Sequence, residues 1–252
     1  LFSHRRMRTV TNYFLVNLSF ADLMMASLNC LFNFIYMLHS DWVFGVRYCQ
    51  LSNFIANVTV AASVFTLTGI SFDRYQAIVR PMRPRMSKTC SLIMIAGIWI
   101  SGMLLAIPSS ETISYNLLFL KYQVVFFVVT YAIPMLGMTF FYSAMGRVLW
   151  GSRSIGELTQ RQLDSIKSKR KVVKMFILVI VIFGICWLPY HSYFIFMHFY
   201  PTIMYTKYVR HMYLGFYWLA MANAMVNPII YYWMNSWRPT LSSIPVCLVY
   251  CV

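Results

Sequence analysis

One acidic side chain, Asp22, falls inside an apolar stretch of the sequence, where a membrane would surround it. Burying a charge there is costly, so such a residue usually has a partner and a function. Asn29 and Asn33 follow Asp22 after seven and eleven positions, so a helix would carry all three on one face. The spacing predicts a polar stripe that begins at a carboxylate.

Two later apolar stretches carry stripes of the same kind, one of hydroxyl and amide side chains and one mainly aromatic. These stripes comprise Tyr213, Tyr217, Asn223, Asn227 and Tyr231 on the last stretch, and Phe183, Trp187, His191 and Phe194 on the one before it. One interpretation is ordinary interhelical hydrogen bonding and aromatic packing. The other is a continuous polar seam from an outer cavity past Asp22 to the cytoplasmic mouth, which the convergence of three stripes favours.

The composition identifies the elements that must position these stripes. Hydrophobic residues make up 60% of the chain and charged residues only 11%, which is typical of a protein that crosses the membrane several times. The alternation of barrel strands is absent, so we expect an all-α membrane protein. The predicted spans are Val10–Leu38, Tyr48–Val79, Cys90–Pro108, Tyr122–Trp150, Val172–Phe199 and Tyr208–Met234.

Basic residues orient these spans in the bilayer. Lys and Arg cluster before the first span, after the second, and between the fourth and fifth, which places those segments in the cytoplasm. The net charge of +15 is therefore mainly a topology signal, and no nucleic-acid partner is expected. No G-x-S-x-G, H-E-x-x-H or phosphate-binding loop occurs, so the chain is not predicted to be an enzyme.

Short motifs in order along the spans carry a family resemblance. Asp73-Arg74-Tyr75, Cys186-Trp187-Leu188-Pro189 and Asn227-Pro228-Ile229-Ile230-Tyr231 together resemble the rhodopsin-like (class A) G-protein-coupled receptors. Leu18-Ser19-Phe20-Ala21-Asp22 and Trp99 add two more matches. The stretches GRVLWGSRSIGE from Gly146, KSKRKVVKMF from Lys167 and MYLGFYWLAMANAMVNPIIYY from Met212 look like tachykinin receptors, particularly the invertebrate tachykinin-related peptide receptors.

The resemblance implies a seven-transmembrane bundle, of which six spans are present in this sequence. The chain starts at Leu1, directly before a basic segment, so we expect the first helix of the bundle to be missing and the chain to be truncated. The predicted receptor domain covers residues 1–235, and residues 236–252 are predicted to be a cytoplasmic tail. A multi-pass location in the plasma membrane follows from the resemblance.

The function implied is that of a receptor that binds a tachykinin-related peptide and acts on a heterotrimeric G protein. The side chains expected to contact the peptide are Asn29, Asn33, Asn57, His191, Phe194, Tyr213 and Tyr217. Activation is expected to free Arg74 from Asp73 while the basic fifth span moves outward. The residues implied in this switch are Asp73, Arg74, Tyr75, Tyr142, Phe183, Trp187, Pro189, Asn227, Pro228 and Tyr231.

Four polar residues resemble the internal sodium site of the family, namely Asp22, Ser63, Asn223 and Asn227. Oxygen ligands suit a hard cation. The same residues would also suit a water-filled hydrogen-bond network without an ion. An allosteric sodium ion is the one bound group that the resemblance implies, and no other cofactor is expected.

Two features depart from the family pattern. Cys49 matches the position of the outer disulfide, but residues 109–121 contain no cysteine to pair with it. In the tail, Pro239 and Pro245 interrupt the expected amphipathic helix, and Cys247 and Cys251 are candidates for palmitoylation. We therefore expect this chain alone to give no peptide-dependent G-protein signal. The alternative function is a non-signalling membrane subunit that sequesters full-length receptors.

Overall fold

The structure is a computed structural model that describes residues 10–39, 41–82, 86–110, 117–151, 159–200 and 207–235. Within those ranges the chain forms six helical segments: α1 (Val10–His39), α2 (Gly45–Val79), α3 (Lys88–Ser110), α4 (Leu117–Phe127, continued by Val128–Ala132 and Ile133–Gly151), α5 (Gln160–Phe199) and α6 (Lys207–Asn235). Each predicted span is confirmed as a helix. The predicted tail at residues 236–252, with Cys247 and Cys251, lies outside the described residues.

Helices are the form that these apolar sequences must take in a bilayer, because each backbone polar group needs a partner within the same segment. Five of the described segments, α1 to α5, have the length and hydropathy of a membrane span. The helix α6 is 29 residues long but is not among them, since its tyrosines, tryptophans and asparagines lower its hydropathy. It packs against α5 and α1.

The central helix of the bundle is α2, which packs against α1, α3 and α4. In its most apolar window 67% of the residues are buried inside the protein, compared with 22% for α3. On the other side, α5 packs against α4 and α6, and α6 contacts α1. The fully buried side chains that join these helices include Phe14, Leu18, Val64, Leu67, Ile70, Met138, Met145, Val173, Val179 and Phe183.

Buried hydrogen bonds of Asn17 tie the first three helices together. Its Nδ2 donates to Thr66 Oγ1 on α2 at 2.7 Å, and its Oδ1 accepts from Trp99 Nε1 on α3 at 2.8 Å. Polar side chains that pair across helices hold membrane bundles in register. This contact fixes α1, α2 and α3 about one turn and a half to the cytoplasmic side of Asp22.

Two short π-helical turns interrupt the membrane helices, Ala26–Cys30 in α1 and Val128–Ala132 in α4. Such turns often occur at functional sites, because they rotate the residues that follow. The second turn contains Tyr131, whose hydroxyl donates to the carbonyl of Gly184 on α5 at 3.0 Å. A Cβ at Gly184 would lie 3.0 Å from Met135 Cε, so glycine allows α4 and α5 to approach closely before Pro189.

Candidate functional site

The outer part of the site is built around Asn29, which lies in the π-helical turn of α1 and is 1% exposed. Its Nδ2 donates to both the carbonyl oxygen and Oγ of Ser52 on α2, at 3.2 and 2.9 Å. Its Oδ1 accepts from the hydroxyl of Tyr217 on α6 at 2.6 Å. The Asn29 layer, formed by Asn29, Ser52 and Tyr217, therefore joins α1, α2 and α6.

A cavity of about 30 Å³ lies immediately outside this layer. Its walls come from α1 and α6 and comprise Asn33, Tyr36, Met37, Tyr213, Leu214 and Tyr217. Asn33 is half-buried, and its Nδ2 donates to the carbonyl of Asn29 at 3.0 Å. Of the side chains predicted to contact a ligand, Asn33, Tyr213 and Tyr217 therefore border open space together.

The remaining predicted contacts lie on neighbouring helices. Phe194 on α5 packs edge-on against Tyr213, with ring centroids 6.1 Å apart. Asn57 is half-buried on α2. His191 is 2% exposed and enclosed by aromatic rings, including Phe127 at 5.4 Å. His191 thus lies behind the cavity wall, among side chains from α4 and α5.

An aromatic column leads inward from His191 along α5. The ring of His191 lies 5.8 Å from Trp187, and Trp187 lies 6.1 Å from Phe183. Tyr131 on α4 stacks on Phe183 at 6.1 Å, beside the close contact at Gly184. Pro189 is within α5, two residues beyond Trp187. The column brings the predicted switch residues Phe183, Trp187 and Pro189 together.

Asp22 lies at the inner end of this column and is 7% exposed. Asn227 Nδ2 on α6 donates to its Oδ2 at 3.1 Å, and Ser63 Oγ on α2 donates to its Oδ1 at 3.4 Å. A cavity of about 10 Å³ opens beside the carboxylate, with Trp187, Phe183 and Asn223 in its wall. We call Asp22, Ser63, Asn223 and Asn227 the Asp22 layer.

The Asp22 layer has the oxygen atoms that a hard cation needs. Within the described residues, the buried Oδ1 atoms of Asn223 and Asn227 have no hydrogen-bond partner. The described residues contain no cluster of three His, Cys, Asp or Glu side chains, which is the set that a transition metal prefers. A carboxylate, a hydroxyl and unpaired amide oxygens fit a small hard cation such as sodium.

The cytoplasmic end of α2 carries the Asp73-Arg74-Tyr75 motif. Arg74 Nη2 lies 3.7 Å from Asp73 Oδ2, and Thr11 Oγ1 on α1 donates to the same oxygen at 3.1 Å. Tyr75 packs against Phe141 on α4, with ring centroids 5.3 Å apart. The motif is thus held between α1 and α4.

Tyr142 on α4, another predicted switch residue, is bonded to α2 at this end of the bundle. Ser71 Oγ donates to the Tyr142 hydroxyl at 3.3 Å, and both side chains are buried. The backbones of Pro228 and Tyr231 lie within α6, but their side chains are outside the described part of the chain. The structure therefore brings the described switch residues of α2 and α4 together.

Cys49 is a free cysteine near the outer end of α2. Other contacts hold this end of the helix. The Tyr48 hydroxyl donates to the carbonyl of Leu28 at 3.2 Å, and Tyr48 packs on Phe32 with ring centroids 4.4 Å apart. Trp42 and Phe44 complete the same aromatic cluster. The outer end of α2 is thus joined to α1 by packing and a hydrogen bond.

Several residues of the site could not be singled out from the sequence. Ser52, Thr11 and Ser71 are small hydroxyl residues, and such residues are common in membrane helices wherever helices approach closely. Their partners depend on how α1, α2 and α4 cross. The exception is Tyr131, whose neighbour Pro134 marks a point where backbone groups need outside partners.

Comparison with known proteins agrees with this arrangement. The family model described as 7 transmembrane receptor (rhodopsin family) matches residues 1–231. The chain belongs to the rhodopsin family of seven-transmembrane receptors. Receptors of this family are not enzymes and are multi-pass proteins of the plasma membrane, and both predictions for this chain are confirmed by its membership.

Individual relatives indicate which receptors of the family the chain is similar to. Two Drosophila melanogaster proteins, Tachykinin-like peptides receptor 86C and Tachykinin-like peptides receptor 99D, are 55% and 49% identical over 92% of the chain. The Homo sapiens Neuromedin-K receptor is 44% identical over 93% of the chain. The alignments cover 51%, 50% and 54% of the three relatives, so the chain spans about half their length. Within the rhodopsin family, the chain is similar to tachykinin-type receptors.

Proposed function

We propose that the chain forms the membrane-embedded part of a receptor that binds a tachykinin-related peptide and acts on a heterotrimeric G protein. The main supporting observation is the unbroken path of contacts from the outer cavity to Asp22. It runs from Tyr213 at the outer cavity through Tyr190 to Trp187, which lines the cavity beside Asp22. A change in side-chain packing at the outer cavity would therefore alter the packing around Asp22 at the centre of the bundle.

The proposed ligand group is the carboxamide at the C-terminus of the peptide. Asn33 and Tyr213 border the outer cavity, and Asn57 and Phe194 are half-buried on α2 and α5. An asparagine side chain offers both a donor and an acceptor, which matches a carboxamide. Tyr217 borders the same cavity. Asn29 and His191 are almost fully buried, so their proposed role is to position the residues that touch the peptide.

The proposed transmission step is a movement of α5 about Pro189. Trp187 and Phe183 pack beside the Asp22 cavity, so a shift of the aromatic column changes the space around the carboxylate. A ligand moves such an equilibrium only by binding one of the two states more tightly. At the cytoplasmic end, release of Arg74 from Asp73 would then expose the guanidinium to a G protein.

Sodium is the proposed allosteric ion of the Asp22 layer. Asp22, Ser63, Asn223 and Asn227 would hold it, and its positive charge would offset the buried carboxylate. The ion would favour the state in which Trp187 and Phe183 pack beside Asp22, as they do in this structure. Its binding would therefore oppose movement of Trp187.

The carboxamide proposal is tested by peptide binding to membranes from cells that express this chain. An amidated tachykinin-related peptide should bind at least about fivefold more tightly than the same peptide with a free carboxylate, since an unpaired buried polar group costs about 1–3 kcal/mol. Asn33→Leu should remove this preference. Asn53→Leu is the matched control, because Asn53 is exposed on α2.

Two results would contradict the proposal: no saturable binding of the amidated peptide, or the same amide preference in Asn33→Leu as in the unchanged chain. G-protein nucleotide exchange on the same membranes separates recognition from transmission. Binding without exchange would confirm the prediction that this chain alone gives no signal. Dose-dependent exchange would show that prediction to be wrong.

A further inference from the structure

Four basic side chains form a stripe at the cytoplasmic end of α5. Lys167, Arg170, Lys171 and Lys174 follow one another at intervals of three, one and three residues. At about 100° of rotation per residue, all four fall within an arc of roughly 100° on the helix surface. Lys167 and Lys174 are exposed, and Arg170 and Lys171 are half-buried. We call these four residues the basic stripe.

The basic stripe continues directly into the lipid-facing surface of α5. Leu178, Val181 and Ile185 follow Lys174 at helical spacing and are 41%, 48% and 62% exposed. The opposite face of the helix, with Val173 and Phe176, is buried in the bundle. The stripe therefore faces the surrounding membrane at the height where its hydrocarbon core gives way to headgroups.

Arg170 joins the stripe to the cytoplasmic end of α4. Its Nε and Nη2 donate to the carbonyl of Leu149 at 2.9 and 2.6 Å. Its guanidinium carbon lies 5.6 Å from the ring centre of Trp150, which is 46% exposed. Arg147, one turn earlier on α4, is also exposed. The ends of α4 and α5 thus form a groove with several cations and an interfacial tryptophan.

One exposed acid, Asp164, lies beside Lys167 of the basic stripe. Asp164 lies 4.0 Å from Lys167, and both side chains are well exposed, at 61% and 72%. An exposed ion pair of this kind contributes little and is screened by salt. The groove therefore keeps a strong positive charge toward the cytoplasmic leaflet, where anionic lipids are concentrated.

We propose that this groove binds the headgroup of a polyphosphorylated inositol phospholipid in the cytoplasmic leaflet. Several cations within two helical turns match a headgroup that carries several phosphates, and the exposed Arg147 can bind a phosphate through two hydrogen bonds. The acyl chains of the lipid would lie along Leu178, Val181 and Ile185. Trp150 lies at the interface between these two regions, where tryptophan is enriched in membrane proteins.

The position of Lys169 separates this site from a surface for a cytoplasmic protein. Lys169 lies on the same two turns of α5, but it is rotated by about 150° from the middle of the basic stripe, toward the face of Val173 and Phe176. It is exposed, so it faces the cytoplasmic mouth of the bundle. A lipid headgroup should depend on the stripe and not on Lys169.

The test is a titration of the chain, purified in detergent, with phosphatidylinositol bisphosphate, with bound lipid counted by native mass spectrometry. Lys167→Gln with Lys174→Gln removes two stripe cations. Lys88→Gln with Lys169→Gln removes the same charge from exposed cytoplasmic positions outside the stripe. The stripe variant should bind about thirtyfold more weakly, from about 1 kcal/mol for each lysine and 1.4 kcal/mol for each factor of ten. The control variant should change affinity by less than about threefold.

Several outcomes would overturn the proposal. Equal losses in the two double variants would show a general attraction to net charge. Unchanged lipid binding in the stripe variant, with weakened G-protein binding, would assign the stripe to the protein partner. Soluble inositol trisphosphate that binds as tightly as the lipid would show a site for free phosphates. Circular dichroism of each variant confirms that its helices have formed before the titration is interpreted.

Discussion

The Asn29 layer and the Asp22 layer join the same three helices but differ in how completely their polar atoms are paired. Asn29 uses both its amide nitrogen and its oxygen, with partners on α2 and α6 at 2.6 to 3.2 Å. Around Asp22, the Oδ1 atoms of Asn223 and Asn227 have no partner among the described residues, and a cavity of about 10 Å³ remains. A layer whose polar atoms are all paired favours one arrangement, whereas a partly paired layer can take up or release water or an ion.

The largest expected effect is on stability, from Asn29→Leu. The substitution removes the bonds to Ser52 on α2 and the bond that the buried Tyr217 hydroxyl on α6 donates to Asn29. We expect a loss of about 3 kcal/mol, which corresponds to an unfolding temperature roughly 6–12 °C lower in detergent. Ser27→Ala on the same helix is the control, because Ser27 is exposed and bonds only within its own helix. Equal unfolding temperatures for the two variants would contradict the structural role of the Asn29 layer.

A smaller loss is expected from Tyr217→Phe, which removes the hydrogen bond to Asn29 and keeps the ring. The Oδ1 of Asn29 would be left buried without a partner, at a cost of about 1–2 kcal/mol, or roughly 2–8 °C in thermal unfolding. Tyr208→Phe is the matched control, since Tyr208 is 78% exposed. If Tyr217→Phe unfolds at the same temperature as Tyr208→Phe, the short bond to Asn29 does not stabilise the bundle.

The smallest effect on stability is expected from Asn223→Leu in the Asp22 layer. Its Oδ1 has no partner in the described part of the chain, so the substitution breaks no bond at that atom. The expected change in the free energy of unfolding, measured by thermal unfolding without sodium, is less than about 1 kcal/mol. A loss as large as that of Asn29→Leu would show that both layers are structural.

The sequence predicted the spans well, because long apolar runs in a membrane can form little other than helices. The family resemblance also implied a shared site for Asp22, Ser63 and Asn227, and hydrogen bonds join the three side chains in the structure. The sequence could not predict that the side-chain amide of Asn29 would donate its hydrogen bonds to Ser52. That pair depends on the crossing of α1 and α2 and on a π-helical turn. The hydrogen-bond partners of Asn17 could not be predicted for the same reason, since Thr66 and Trp99 lie on two other helices.

The basic stripe was visible in the sequence only as part of a positive cytoplasmic segment. Its division into a membrane side and a bundle side required the burial pattern of α5, in which Val173 and Phe176 are buried and Val181 is exposed. The contact of Arg170 with Leu149 then showed which neighbouring helix completes the groove. Charge can be counted from sequence, but the direction in which it faces depends on packing.

The most direct test of the difference between the two layers is the effect of sodium on thermal unfolding, with N-methylglucamine at equal ionic strength as the reference. Sodium at ten times its Kd should stabilise the chain by about 1.4 kcal/mol. Asp22→Asn should abolish this shift, whereas Tyr217→Phe and Asp41→Asn, at an exposed acid outside the site, should keep it. An equal sodium shift in Asp22→Asn and in the unchanged chain would contradict the assignment of the Asp22 layer as the ion-responsive part of the bundle.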